Sequence, residues 1–131
     1  MNEVIFPVIV VTDDSQVEYY DSIQTAATLM EPADVEDGLY KAYDSEGKLL
    51  HIIVKHKKHE TPFLFKPIFF ILDILSFSLN HQDKFVEIFL SPDYQDKRDE
   101  LVKNLSKYLT YKGLDTEHKN LPELIKMLCE Q

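Results

Sequence analysis

The chain has 131 residues, enough for one domain with a hydrophobic core, and its formal net charge is −9. This acidic balance argues against direct nucleic-acid binding, which depends on neutralising phosphates with Lys and Arg. The single cysteine, Cys129, cannot form a disulfide within the chain, which fits a reducing compartment. We therefore expect one cytoplasmic domain over residues 1–131.

The N-terminal third predicts a strand followed by a helix. Residues 4–12 are apolar and rich in β-branched side chains, which is typical of a buried strand. Asp21 is placed to cap a helix over residues 21–30, and Pro32 is expected to end it before an acidic loop over residues 31–38. The apolar face of this helix has the spacing i, i+3, i+4, i+7 and consists of Ile23, Ala26, Ala27 and Met30.

The middle of the chain predicts a β-hairpin and then a strongly apolar stretch. Residues 39–43 and 48–57 alternate as strands do, and residues 44–47 (DSEG) suit a type I turn followed by a left-handed glycine. In residues 61–79, 14 of 19 side chains are Phe, Leu, Ile or Pro. Periodicity does not separate helix from strand there, and length favours a helix over residues 68–79.

The C-terminal part predicts a strand over residues 85–90 and two helices. Ser91, Pro92 and Asp93 have the composition of a helix start, and Gly113 that of a helix end. The inner stripe of the first helix is predicted to be Tyr94, Arg98, Leu101, Leu105, Tyr108 and Leu109. The last helix, capped by Asn120, is predicted to bury Leu121, Leu124, Ile125 and Leu128. The order of elements predicts an α+β fold, with an antiparallel sheet of about four strands and helices packed mainly on one face.

Motifs for chemistry are sparse. Three isolated glycines cannot form a phosphate-binding loop or a dinucleotide fingerprint. His56 and His59 have a metal-ligand spacing, but the lysines around them oppose a cation. His51 lies within a predicted strand, Cys129 has no activating base nearby, and residues 34–38 lack the ligand order of a calcium loop. We therefore expect no enzyme activity, no metal and no cofactor.

The charge of the chain is concentrated in residues 13–46. This stretch holds ten carboxylates and one base, Lys41, which accounts for the whole net charge. Such a concentration favours an acidic surface, bearing exposed tyrosines, that recognises a basic protein. The predicted contact residues are Asp34, Glu36, Asp37, Tyr40, Tyr43, Asp44 and Glu46.

A resemblance to a known family lies in the same region. Residues 19–27 (YYDSIQTAA), 30–50 (MEPADVEDGLYKAYDSEGKLL) and 99–105 (DELVKNL), followed by Gly113, resemble immunity proteins of bacterial contact-dependent inhibition and related polymorphic-toxin systems. The resemblance covers about half the chain. It implies a cytoplasmic, non-enzymatic protein that binds and neutralises the C-terminal domain of a cognate toxin, often a nuclease.

Two other functions stay open at the level of the sequence. The apolar residues 61–79 could serve a membrane- or lipid-associated module, although they are too short and interrupted to predict stable membrane insertion. A small-ligand or metal-dependent activity would use His51, His56 and His59, which lie close together in the sequence.

Overall fold

The computed structural model describes residues 3–56 and 84–131, which contain five strands and four helices. The strands are β1 (Val8–Thr12), β2 (Val17–Tyr20), β3 (Tyr40–Tyr43), β4 (Leu49–His56) and β5 (Lys84–Phe89). The helices are α1 (Ile23–Leu29), α2 (Pro32–Glu36), α3 (Arg98–Tyr111) and α4 (Leu121–Cys129).

The five strands form one antiparallel sheet in the order β2-β1-β3-β4-β5. The predicted α+β class and antiparallel sheet are therefore confirmed, with one strand more than expected. The additional strand is β2, which has only four residues and lies inside the acidic stretch. β1 begins directly after Pro7, because a proline has no N–H to contribute to the sheet.

The helices lie on both faces of the sheet, whereas the sequence predicted them mainly on one. Val8 and Val10 of β1 point into a core shared with α1, on the side that we call the α1 face. Ile9 and Val11 point into a second core shared with α3 and α4, on the α3 face. A continuous apolar run such as that of β1 is typical of a strand buried on both faces, and here the two layers of helices bury it.

On the α1 face, α1 and α2 follow each other closely. Ser22 is the N-cap of α1, and its hydroxyl accepts a hydrogen bond from the Thr25 N–H at 3.0 Å, so the cap lies one residue after the predicted Asp21. The predicted apolar face packs against the sheet, with Ala26 and Met30 buried. The acidic loop expected over residues 31–38 contains a second short helix, α2. Pro32 occupies its first position, where the missing N–H has no cost.

The predicted hairpin of β3 and β4 is confirmed, with Gly47 in the left-handed conformation at φ +88°. This hairpin also explains why α3 begins later than predicted. The Leu49 N–H donates to the Gln95 carbonyl at 2.9 Å, and the Lys97 N–H donates to the Gly47 carbonyl at 2.8 Å. These bonds hold the chain before Arg98 against the hairpin turn, so Ser91, Pro92, Asp93 and Tyr94 precede the helix.

α3 and α4 bury most of the residues predicted to face inwards, but Arg98 is exposed and Tyr94 precedes α3. Leu101, Leu105 and Leu109 of α3 are fully buried, and Gly113 follows the helix at φ +86°. The Asn120 side chain caps α4 by accepting from the Glu123 N–H at 3.0 Å. The predicted inner residues of α4 are all buried: Leu121, Leu124, Ile125 and Leu128. The predictions for residues 61–79 and for His59 lie outside the described residues.

Candidate partner-binding face

The negative charges of residues 13–46 are mostly not neutralised by the described residues. Three of the ten carboxylates, Glu36, Asp44 and Glu46, form ion pairs with Lys84 or Lys48. The other seven carboxylates make no ion pair with any described residue. These seven are Asp13, Asp14, Glu18, Asp21, Glu31, Asp34 and Asp37. The one base of the stretch, Lys41, points to the α3 face and binds Glu100 at 2.7 Å.

A cleft on the α1 face collects several of these groups. In the sheet register Val10 of β1 lies opposite Glu18 of β2, Val8 lies opposite Tyr20, and Thr12 lies opposite Tyr40 of β3. Because paired residues point to the same face, Glu18, Tyr20 and Tyr40 all surround the middle of β1. The end of α1 closes one wall, and the cavity has a volume of about 340 Å³. Its lining is Val10, Thr12, Glu18, Tyr20, Leu29, Met30 and Tyr40.

The two tyrosines of the cleft are bound to carboxylates. The Tyr20 hydroxyl donates to Glu18, and the Tyr40 hydroxyl donates to Asp34 at 3.4 Å. Burial first, and then Asp34, Glu31 and Glu18, raise the pKa of Tyr40. Carboxylates from β2 (Glu18) and from α2 and its N-cap (Asp34 and Glu31) therefore act on one phenol. For Tyr20, burial and the bond and charge of Glu18 raise the pKa in the same way.

α2 presents the next part of the face. The Asp34 carboxylate accepts a hydrogen bond from Tyr40, which lines the cleft. Asp37 is exposed at the C-terminal end of the helix. Glu36 turns towards the sheet edge, where it accepts a bond from Lys84 of β5 at 3.2 Å. Of the seven predicted contact residues, the structure thus brings together Asp34, Asp37 and Tyr40, with Glu36 beside them and partly neutralised.

Tyr43 and Asp44 are not surface residues, and their prediction as contacts is wrong. Tyr43 has no exposed surface, and its hydroxyl donates to Glu100 of α3 at 2.8 Å. Side chains alternate across a strand, so Tyr43 points to the face opposite Tyr40. Burial first, and then the bond to Glu100, raise the pKa of Tyr43.

Asp44 is the one charged residue among the described residues that is fully buried. One carboxylate oxygen accepts from the Glu46 N–H at 2.9 Å and the Lys48 N–H at 3.0 Å, while the other accepts from the Ile5 N–H at 3.3 Å. The Lys48 amine lies 3.7 Å away. This carboxylate therefore holds the hairpin turn and the segment before β1, because a buried charge requires such partners.

Glu46 is exposed, but it lies at the hairpin turn, 3.9 Å from the Lys48 amine. That turn packs against the start of α3, so close that a Cβ on Gly47 would meet the Arg98 Cα at 2.4 Å. Glu46 is therefore separate from the cleft. Glu18 and Tyr20 line the cleft and were not among the seven predicted residues, and neither was Glu31, whose charge acts on Tyr40. Residues i and i+2 of a strand share a face, so Glu18 and Tyr20 would have been placed together had residues 17–20 (VEYY) been predicted as a strand.

No arrangement for metal or thiol chemistry stands out in residues 3–56 and 84–131. No group of three or more His, Cys, Asp or Glu side chains there could hold a metal ion. The His51 ring stacks on Phe89 at 5.3 Å between centroids, and His56 ends β4. Burial first, and then Asp21 and Glu130, raise the pKa of Cys129, which opposes formation of a reactive thiolate.

Comparison with known proteins returned no family model, no curated protein and no solved structure that matches this chain. Among the described residues, every helix is too short or too polar to cross a bilayer.

Proposed function

We propose that this chain is an immunity-type inhibitor, acting in the cytoplasm without enzymatic activity, that binds one basic toxin domain through its acidic face. We define that face by the cleft and α2, with Glu18, Glu31, Asp34 and Asp37 as its carboxylates. The observation that supports it most directly is that these four groups make no ion pair with a described base while three of them act on the same tyrosine.

Charge and aromatic side chains have separate effects in such a face. Unpaired carboxylates attract a cationic surface over a distance of about 10 Å at moderate salt and so raise the rate of association. Tyr20 and Tyr40 supply rigid contact area, and aromatic residues are frequent among those that dominate binding energy. A nuclease would be such a partner, because the surface with which it binds its anionic substrate is basic.

The first test looks for a toxin domain in the reading frame next to this chain's and, where one is found, uses that domain. We expect co-expression of the chain to restore growth of a host that the toxin domain inhibits, and the two purified proteins to form a stable complex. Failure of both would contradict the proposed function.

The second test concerns the acidic face and uses charge reversal. We expect Asp34→Lys with Asp37→Lys to lower the association rate constant about tenfold or more at low salt, and to weaken its salt dependence. The matched control is Glu117→Lys with Glu130→Lys, because both residues are exposed and flank α4, which packs on the α3 face, opposite the cleft. An equal loss in both double variants would show that only net charge matters and would contradict the assignment of the face.

A further inference from the structure

The cleft on the α1 face is a cavity with an apolar interior and a charged rim. Met30 and Val10 form its interior and are almost completely buried, at 5% and 2% exposure. Leu29, 62% exposed, extends one wall towards solvent. The carboxylates Glu18 and Asp34 stand at the rim, each bound to one of the two tyrosines.

An apolar interior with carboxylates at its rim matches one kind of ligand group. A side chain with a long aliphatic stem and a cationic head buries the stem against apolar surface and leaves the head among polar groups. The faces of Tyr20 and Tyr40 attract a cation in addition to the carboxylates. No base lies among the described residues that line the cleft, so its charge is open to an external cation.

The carboxylates keep the capacity to bind such a head while they hold the tyrosines. An ionised carboxylate has about four acceptor positions, and each tyrosine hydroxyl uses one of them. A guanidinium group has five N–H donors in a plane, so it can bond to carboxylates on two walls at once and stack on an aromatic ring. An ammonium group has three donors and no plane to stack.

We propose that the cleft between Tyr20 and Tyr40 receives one arginine side chain of the basic partner. The stem packs on Met30 and Val10, and the guanidinium donates to Glu18 and Asp34. This inference rests on the proposed function for the source of the arginine, which is a protein. It adds a defined pocket to what would otherwise be a diffuse attraction of charges.

The test uses the whole chain and a small probe, so that it does not depend on a known partner. Amide resonances of the ¹⁵N-labelled protein are followed by NMR during titration with N-acetyl-arginine amide. We expect saturable shifts at Thr12, Tyr20 and Tyr40. The citrulline analogue has the same shape without the charge, and we expect its affinity to be at least about tenfold lower. Equal binding of the two, or shifts centred elsewhere, would overturn the inference.

Lysine provides the second comparison. Because the ammonium group has fewer donors and no plane that stacks on a ring, we expect N-acetyl-lysine amide to bind at least about threefold more weakly than the arginine probe. Tighter binding of lysine would overturn the assignment of arginine.

The matched variants neutralise charge without changing size. We expect Glu18→Gln with Asp34→Asn to weaken binding of the arginine probe about three- to tenfold. Glu117→Gln with Glu130→Gln, which remove two exposed charges elsewhere, should leave it unchanged. Unchanged resonances of buried Tyr43 would establish that the cleft variant is folded. An equal loss in the two variants would overturn the inference.

The same variants separate this inference from the proposed function. If the cleft variant binds the toxin domain as the original chain does, and protects cells equally, the arginine pocket is wrong and the immunity function stands. If the arginine probe binds in the cleft but no toxin domain associates, the pocket stands and the immunity function is wrong.

Discussion

Asp34 and Asp44 belong to one acidic stretch, and the structure gives them opposite surroundings. Asp44 is fully buried, with three backbone N–H donors and a nearby lysine amine. Asp34 is partly exposed, has no ion pair among the described residues and bonds to a tyrosine at the edge of a cleft. Local charge density therefore does not assign a role: Asp44 stabilises a turn, whereas Asp34 stays accessible at the edge of the cleft.

Removal of each carboxylate is expected to have very different effects on stability. We expect Asp44→Ala to lower the free energy of unfolding by about 4 kcal/mol, because the N–H groups of Ile5, Glu46 and Lys48 lose their acceptor. Asp34→Ala should change it by less than about 0.5 kcal/mol, as exposed substitutions do. Urea denaturation measures both, and similar losses would contradict the contrast.

Glycines near the same two regions offer a second test. Gly47 has a positive φ and almost touches the backbone of Arg98, so Gly47→Ala should cost about 3 kcal/mol. Gly38, which follows α2, also has a positive φ but nothing within 4 Å of an added Cβ. Gly38→Ala should therefore cost only about 1 kcal/mol. Thermal or urea unfolding gives the values, and a reversed order would mean that the hairpin turn does not pack on α3 as described.

The two tyrosines of β3 differ in the same way as the two aspartates, and removal of a hydroxyl tests this with a smaller change. Tyr43→Phe removes a buried hydroxyl from Glu100, and we expect a loss of about 1.5 kcal/mol in unfolding free energy. Tyr40→Phe should cost less than about 0.5 kcal/mol, since its hydroxyl lies at the mouth of the cleft. The expected pattern for binding of a partner is the reverse, with Tyr40→Phe having the larger effect.

The smallest expected effect is a dependence of stability on pH. The bonds from Lys41 and Tyr43 hold the pKa of Glu100 below its ordinary value. The stabilisation is therefore complete above the unfolded pKa of about 4.3 and is lost as the pH falls through the lower folded pKa. Because Glu100 is partly exposed, we expect under about 1 kcal/mol from this source. In Glu100→Gln this part of the acid dependence should be absent, which urea denaturation at several pH values would measure.

Elements specified by short-range signals were predictable from the sequence. The hairpin required only a DSEG turn between alternating strands, and α4 required only its Asn120 cap and apolar face. β2 was missed because four residues give little periodicity. The start of α3 was wrong because bonds from a distant hairpin, at Gly47 and Leu49, decide where the helix begins, and local propensity for a cap at Ser91 does not include them.

The candidate site was predictable in kind but not in membership. The acidic character, Asp34, Asp37 and Tyr40 followed from composition. Tyr43 could have been excluded, because residues three apart on a strand point to opposite faces. The burial of Asp44 could not be read locally, since one of its partners is the N–H of Ile5, which the fold brings to the turn.

Side chains that hold the fold alternate along β3 with a side chain that faces the cleft. Lys41 and Tyr43 face α3 and bind Glu100, while Tyr40 faces the cleft. Substitutions at Tyr40 or on α2 therefore leave in place the contacts that hold the sheet to α3. A scaffold of this kind is evolvable: substitutions can accumulate on the cleft side of β3 while the framework beneath stays the same.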